Sequence, residues 1–157
     1  NLGAEQPDRA RRGVWAAAGL ITVSLLGISI IAYLLAAPII GIFIAGEGSA
    51  AVTSIGAEYL RIVGASYVFL GVFYVVQGGF RGSGSTRLAM LFAFIGFIVF
   101  RSAFASLLAV PGGFGATGVW YGEALANVLM VTIAGGYFLR GTWAGRVIDD
   151  GDTAAPT

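Results

Sequence analysis

Phe80-Arg81-Gly82-Ser83-Gly84-Ser85-Thr86-Arg87 stands between two long apolar runs and carries the only charges for some distance on either side. Its glycines supply the positive-φ freedom of a tight turn, and its arginines hold that turn in a lipid headgroup layer. Both flanking runs are long enough to cross a bilayer, so the octapeptide reads as the reversal between two membrane-spanning helices. The expected fold is all-α, a polytopic transmembrane helical bundle.

Composition agrees. The chain is 57% hydrophobic and 11% charged, with a mean hydropathy of +0.87, whereas a soluble domain carries about a quarter charged residues. A net charge of +1, with no basic stripe interleaved with aromatics, excludes nucleic acid as a partner. With no Cys and no His, disulfides, thiol catalysis, Cys/His zinc sites and histidine switching are excluded too. The sequence begins at Asn1 rather than Met and reads as part of a longer protein, and no cleavable signal peptide is expected.

Working outward from the turn, four spans are predicted at about 14–37, 62–80, 88–110 and 118–139. A lead segment (1–13) precedes this membrane module (14–143), and a polar tail (144–157), expected to be disordered, follows it. Pro38 should break the first apolar run, leaving a short continuation to Ile44 before a loop at Gly46-Glu47-Gly48-Ser49. Residues from Ala51 to Arg61 read as helix leading into the second span. Pro111-Gly112-Gly113-Phe114-Gly115 is an uncharged breaker loop.

Four spans put Arg9, Arg11, Arg12, Arg81, Arg87, Arg140 and Arg146 on one side, against Arg61 on the other. The positive-inside rule makes the first side cytoplasmic, with both termini inside and the protein multi-pass in the cell membrane. Trp15, Tyr137 and Trp143 then fall near the inner interface, and Tyr59, Trp120 and Tyr121 near the outer one.

Arg101 is the most expensive side chain in the sequence. A charge at a helix centre costs about 2.5–3.5 kcal/mol on insertion scales, so it requires a partner. Glu123, at matching depth in the antiparallel neighbour, is the candidate. A structural ion pair bracing two helices is preferred to a substrate or proton site. Asn127 shares the helix face of Glu123 and reads as an interhelical hydrogen-bonding residue. Gly118, Gly122 and Ala126 form a small-residue run that permits close helix approach.

On the second span, Tyr67, Tyr74 and Gln77 form a stripe suited to a cavity for lipophilic, often cationic ligands, and ordinary helix packing around small residues explains it equally well. Thr22, Ser29 and Tyr33 make a similar stripe on the first span, read as packing because Ser and Thr can bond their own helix backbone. No catalytic triad, metal-ligand cluster, P-loop or dinucleotide motif stands in a plausible setting. The chain is read as no enzyme, with no catalytic, cofactor-binding or metal-ligating residues.

Together, Tyr59-Leu60-Arg61-Ile62, then Gly78-Gly79-Phe80-Arg81-Gly82-Ser83-Gly84-Ser85-Thr86-Arg87, Val99-Phe100-Arg101, Gly115-Ala116-Thr117-Gly118-Val119-Trp120 and Arg140-Gly141-Thr142-Trp143 resemble the multidrug and toxic compound extrusion (MATE) transporters. The likeness runs from about Val14 to Trp143. It implies twelve spans in two six-helix lobes, with export of organic cations and drugs in exchange for Na⁺ or H⁺. This chain would supply the last four spans, and its partners would be the first lobe, the first two spans of the second lobe, the lipid bilayer and small-molecule drugs.

Two positions depart from the family pattern. Ser85 stands where the turn motif usually has Asp. Leu70 stands where the NorM-like branch places an acid, and Glu58 is the nearest acid on that span. The resemblance therefore puts the coupling-ion site outside this chain, with no other cofactor implied. The runner-up is a lipid-linked oligosaccharide flippase of the same superfamily, which calls for a more Arg-rich cavity than one intramembrane Arg provides. A stand-alone four-helix membrane protein with a structural or assembly role is the reading from another class, and the missing start Met counts against it.

Overall fold

A computed structural model describes residues 1–44, 49–141 and 143. The expected loop at Gly46-Glu47-Gly48, the polar tail from 144 with Arg146, and Thr142 lie outside the described residues. A short 3-10 turn over Leu2–Ala4 leads in, and helix α1 runs from Pro7 to Leu34. Pro7 opens it because the first helical position needs no N–H, and Asp8 in the first turn suits the positive end of the helix dipole. The helix thus begins ahead of Val14 and takes in Arg9, Arg11 and Arg12.

Pro38 acts slightly upstream of the predicted break. Having no N–H and a ring that crowds the preceding turn, it cannot continue α1, and the break falls at Leu35 (φ −101°, ψ 18°). Helix α2 then spans Ala36–Phe43, with Pro38 in its first turn, where a missing donor costs little.

Helix α3, Ser49–Gly82, is a single rod of 34 residues, about 51 Å long at 1.5 Å per residue. It ends in the octapeptide. Ser85 N–H donates to the Phe80 carbonyl (2.9 Å) and Gly84 N–H to that of Arg81 (3.1 Å), the paired bonds of a glycine-closed helix, with Gly84 at φ +76°. The Ser83 hydroxyl adds a bond to the Phe80 carbonyl at 2.9 Å. The Ser85 carbonyl then accepts from Leu88 and Ala89, and the next helix begins.

That rod is α4 (Thr86–Phe94), a π-helical stretch over Ile95–Phe100, and α5 (Arg101–Ala109), continuous over 24 residues. In the following loop, Gly112 and Phe114 N–H groups take the Leu107 and Leu108 carbonyls, and Gly113 turns at φ +72°. Helix α6 covers Gly115–Leu139. Among the described residues, four rods are therefore long and apolar enough to span a bilayer: α1, α3, α4 through α5, and α6. The chain is an all-α polytopic bundle.

Helix α3 is the hub, packing against α1, α2, α4 and α6, while α5 lies along α6. Helices already in lipid gain little by hiding apolar area from one another, so close packing and hydrogen bonds hold them. Glycine provides the closeness between α5 and α6. A Cβ on Gly118 would sit 2.6 Å from the Leu108 backbone, and one on Gly122 would sit 2.5 Å from that of Ala105.

The core lies at the end that carries Arg81 and Arg87. Phe73, Val76, Phe80, Ala89, Met130, Ala134 and Phe138 are buried together. Phe80 stacks on Phe92 (5.5 Å) and meets Tyr137 and Phe138 edge-on. Trp143, expected near the inner interface, packs into the cluster at this end. It is buried, stacks on Phe138 at 4.4 Å, and its indole N–H donates to the Phe138 carbonyl at 2.9 Å. That carbonyl lies in the last turn of α6, where helical donors run out, so the ring folds back as a cap. Leu2 completes this plug. Much of α1 presents bare Leu, Ile and Val, a surface suited to lipid or to further helices rather than to water.

Candidate functional site

Arg101 opens α5 just after the π-helical stretch, eight residues before Ala109, and Glu123 lies eight residues after Gly115 on α6. At 1.5 Å per residue, both sit about 12 Å below the same end of the bundle. The backbone approach at Gly118 and Gly122 brings their helices together, and Arg101 Nη2 donates to Glu123 Oε1. The arginine side chain is 35% exposed and the glutamate 17%. The guanidinium also lies 5.6 Å from the centre of the Phe97 ring. Near this end, Tyr59 of α3 meets Trp120, one helical turn before Glu123, edge-on at 5.8 Å.

One turn further along α6, Asn127 is fully buried and donates to the Ser66 hydroxyl at 3.0 Å, tying α6 to α3. The Ser66 hydroxyl in turn donates a hydrogen bond to the Val63 carbonyl (2.7 Å). The α3–α6 seam is thus polar in the half near Glu123 and aromatic in the half near the Arg81–Arg87 turn.

The predicted Tyr67, Tyr74 and Gln77 stripe divides in two. Tyr67 and Tyr74 are 40% and 52% exposed and line a groove of about 440 Å³ between α1 and α3, with Ile21, Leu25, Leu70 and Gly71. Gln77 is buried instead, its Nε2 donating to the Ala89 carbonyl of α4 at 3.0 Å. Helical geometry explains the split: ten residues beyond Tyr67 is about 80° away from its face, which turns Gln77 toward the neighbouring rod.

The stripe on α1 also behaves unevenly. Thr22 bonds its own helix at the Ala18 carbonyl (2.7 Å). Ser29 does not: it reaches across to the Gly64 carbonyl of α3 at 2.9 Å, because Gly64 leaves that backbone uncovered. Leu70, where the resemblance looks for an acid, is an apolar wall of the tyrosine groove. Among the described residues no three carboxylates gather.

Sequence reasoning missed Arg61. Its Nε donates to the Tyr33 carbonyl at 3.4 Å and its guanidinium lies over the Tyr33 ring. The available signal was Pro38, which ends α1 and leaves carbonyls in need of donors.

Spanning rods joined by tight turns, with a charged pair set between two of them and an aromatic groove on an otherwise apolar face, describe a multi-pass membrane protein. The MatE family model matches residues 1–107. The chain belongs to this family, the multidrug and toxic compound extrusion transporters. It is 31% identical over 133 residues to a probable multidrug resistance protein NorM of Rhodopseudomonas palustris, covering 84% of this chain and 28% of that protein. A probable multidrug resistance protein NorM of Synechococcus is 29% identical over 141 residues, covering 88% of this chain and 30% of the relative. The multidrug resistance protein NorM of Burkholderia vietnamiensis is 32% identical over 135 residues, with 83% and 29% covered. The chain therefore spans under a third of the length of these curated relatives. No solved structure gives a significant match.

Proposed function

We propose that the chain supplies four spans of one lobe of a cation-coupled multidrug efflux antiporter in the cell membrane. The complete transporter would export organic cations or drugs in exchange for Na⁺ or H⁺, its lobes rocking about a central cavity in alternating access. The remaining spans of both lobes are the partners this requires, and the coupling ion would bind mainly outside these residues.

The tyrosine groove carries this reading. Two half-exposed rings, Tyr67 and Tyr74, face a space of about 440 Å³ whose other walls are aliphatic. Such a surface offers apolar area and ring faces to a lipophilic cation. Family membership supplies the direction of transport, and the names of the relatives supply the drug class. Gln77, held by Ala89, is left out of the groove, while Arg101 and Glu123 join α5 to α6.

The test is ethidium export from proteoliposomes that hold the complete transporter containing these spans, under an imposed Na⁺ or H⁺ gradient. Gradient-dependent export, reduced about tenfold in rate at low substrate by Tyr74→Ala, is the expected result. Export that ignores both gradients would overturn the antiporter reading, and export unchanged by Tyr67→Ala and Tyr74→Ala would remove the groove from it.

A further inference from the structure

We infer that Glu123 is a counter-charge which a lipophilic organic cation can take over from Arg101, with Phe97, Tyr59 and Trp120 as its aromatic surround. This rests on the substrate class proposed above and assigns it a second contact, on the α5–α6 side of α3.

The geometry of the pair carries the inference. A guanidinium has five N–H donors and can grip a carboxylate with two parallel bonds. Here a single bond, Nη2 to Oε1, joins them among the described residues. Among the described residues both side chains remain partly open, at 35% and 17% exposure, about 12 Å below one end of the bundle. A two-pronged, closed pair would be the stronger brace at this depth, since each unmet donor in a bilayer is costly.

The helices also have a second hold on each other. Gly118 and Gly122 already seat α6 on the backbone of α5 at Leu108 and Ala105. What the pair adds is a carboxylate occupied by an internal cation, with a ring behind it: the guanidinium rests 5.6 Å from Phe97. The π-helical stretch from Ile95 to Phe100 immediately precedes Arg101, and such distortions often mark functional positions. A bulky organic cation brings the same charge with little hydration to strip, and ring faces to meet it.

An internal competitor gives the two charges opposite signs in a binding assay. Removing Arg101 frees the carboxylate, whereas removing Glu123 destroys the site. The experiment is equilibrium dialysis of tetraphenylphosphonium against the purified complete transporter containing these spans, in detergent. Arg101→Met should tighten binding about tenfold and Glu123→Gln should weaken it about tenfold.

Either single variant strands a charge and can fail to fold, so the double variant is decisive. Losing both partners of an ion pair is close to neutral for folding. The double variant should fold, yet bind tetraphenylphosphonium about tenfold more weakly than the parent. Parent-like affinity in the double variant would reduce the pair to a brace and overturn the assignment, leaving the substrate class standing. Weakening by Arg101→Met in a folded protein would overturn it as well. Absence of binding by the parent would overturn both this site and the substrate class.

Discussion

Arg61 reaches from α3 across to the end of α1, where its Nε donates to the Tyr33 carbonyl at 3.4 Å and its guanidinium lies 5.9 Å from the centre of the Tyr33 ring. Tyr33 is in the last turn before the break at Leu35. Helical donors run out there and the dipole presents its negative end. The arginine on the opposite side from the others is therefore held at a helix terminus.

Arg61→Leu should lower stability by about 0.5–1 kcal/mol, from loss of the terminal charge and of the ring contact. The value is small because the side chain is exposed and screened. Arg61→Lys should retain part of it. Unfolding in mixed SDS micelles measures both, and an Arg61→Leu protein as stable as the parent would remove the capping role.

Gly122 and Gly136 lie on the same helix and should respond in opposite directions. A Cβ at Gly122 would lie 2.5 Å from the Ala105 backbone, which cannot rotate away, whereas one at Gly136 meets nothing within 4 Å among the described residues. Gly122→Ala should cost about 1–3 kcal/mol by pushing α5 from α6. Gly136→Ala should be neutral or stabilise by up to about 1 kcal/mol through the unfolded chain. Thermal melts in detergent distinguish them, and equal effects would contradict the close α5–α6 approach.

The turn offers a similar contrast between neighbours. Gly84 sits at φ +76°, and a side chain there costs about 1–2 kcal/mol. Among the described residues Ser85 is buried with no partner for its Oγ, so Ser85→Ala discards nothing there but an unmet polar atom. Gly84→Ala should therefore destabilise by that amount, while Ser85→Ala should fall within about 0.5 kcal/mol of the parent or exceed it. A Ser85→Ala protein as weakened as Gly84→Ala would mean that the hydroxyl has a partner.

Local chemistry was legible in the sequence, and lateral packing was not. The 80–87 reversal could be read because glycine closure involves only adjacent residues. The depth match of Arg101 and Glu123 followed from counting inward along two antiparallel helices joined by a short loop. Which neighbour a helix face meets is set by the whole bundle. Ser29 found the Gly64 carbonyl, and Gln77, about 80° around from Tyr67, found Ala89. Trp143 covers the Phe138 ring, which on α3 meets Gly79, where a Cβ would stand 2.9 Å from it. The π-helical stretch at Ile95–Phe100 follows an unbroken apolar run that carries no local signal of distortion.

The last prediction is the orientation. The helix order places Arg9, Arg11, Arg12, Arg81, Arg87 and Arg140 at one end of the described bundle, with Arg61 the exception already tied to α1. Positive-inside insertion then makes that end cytoplasmic. The chain has no Cys, so single cysteines report cleanly. Ser83 is a poor probe because it is fully buried, but Thr86 beside it is exposed, and Ala116 is exposed at the opposite end. In sealed inside-out vesicles an impermeant maleimide should label Thr86→Cys and spare Ala116→Cys, with the reverse in right-side-out vesicles. Labelling of both from one side would break the antiparallel four-rod arrangement. Reversed labelling would keep the fold and overturn the cytoplasmic placement of the arginines.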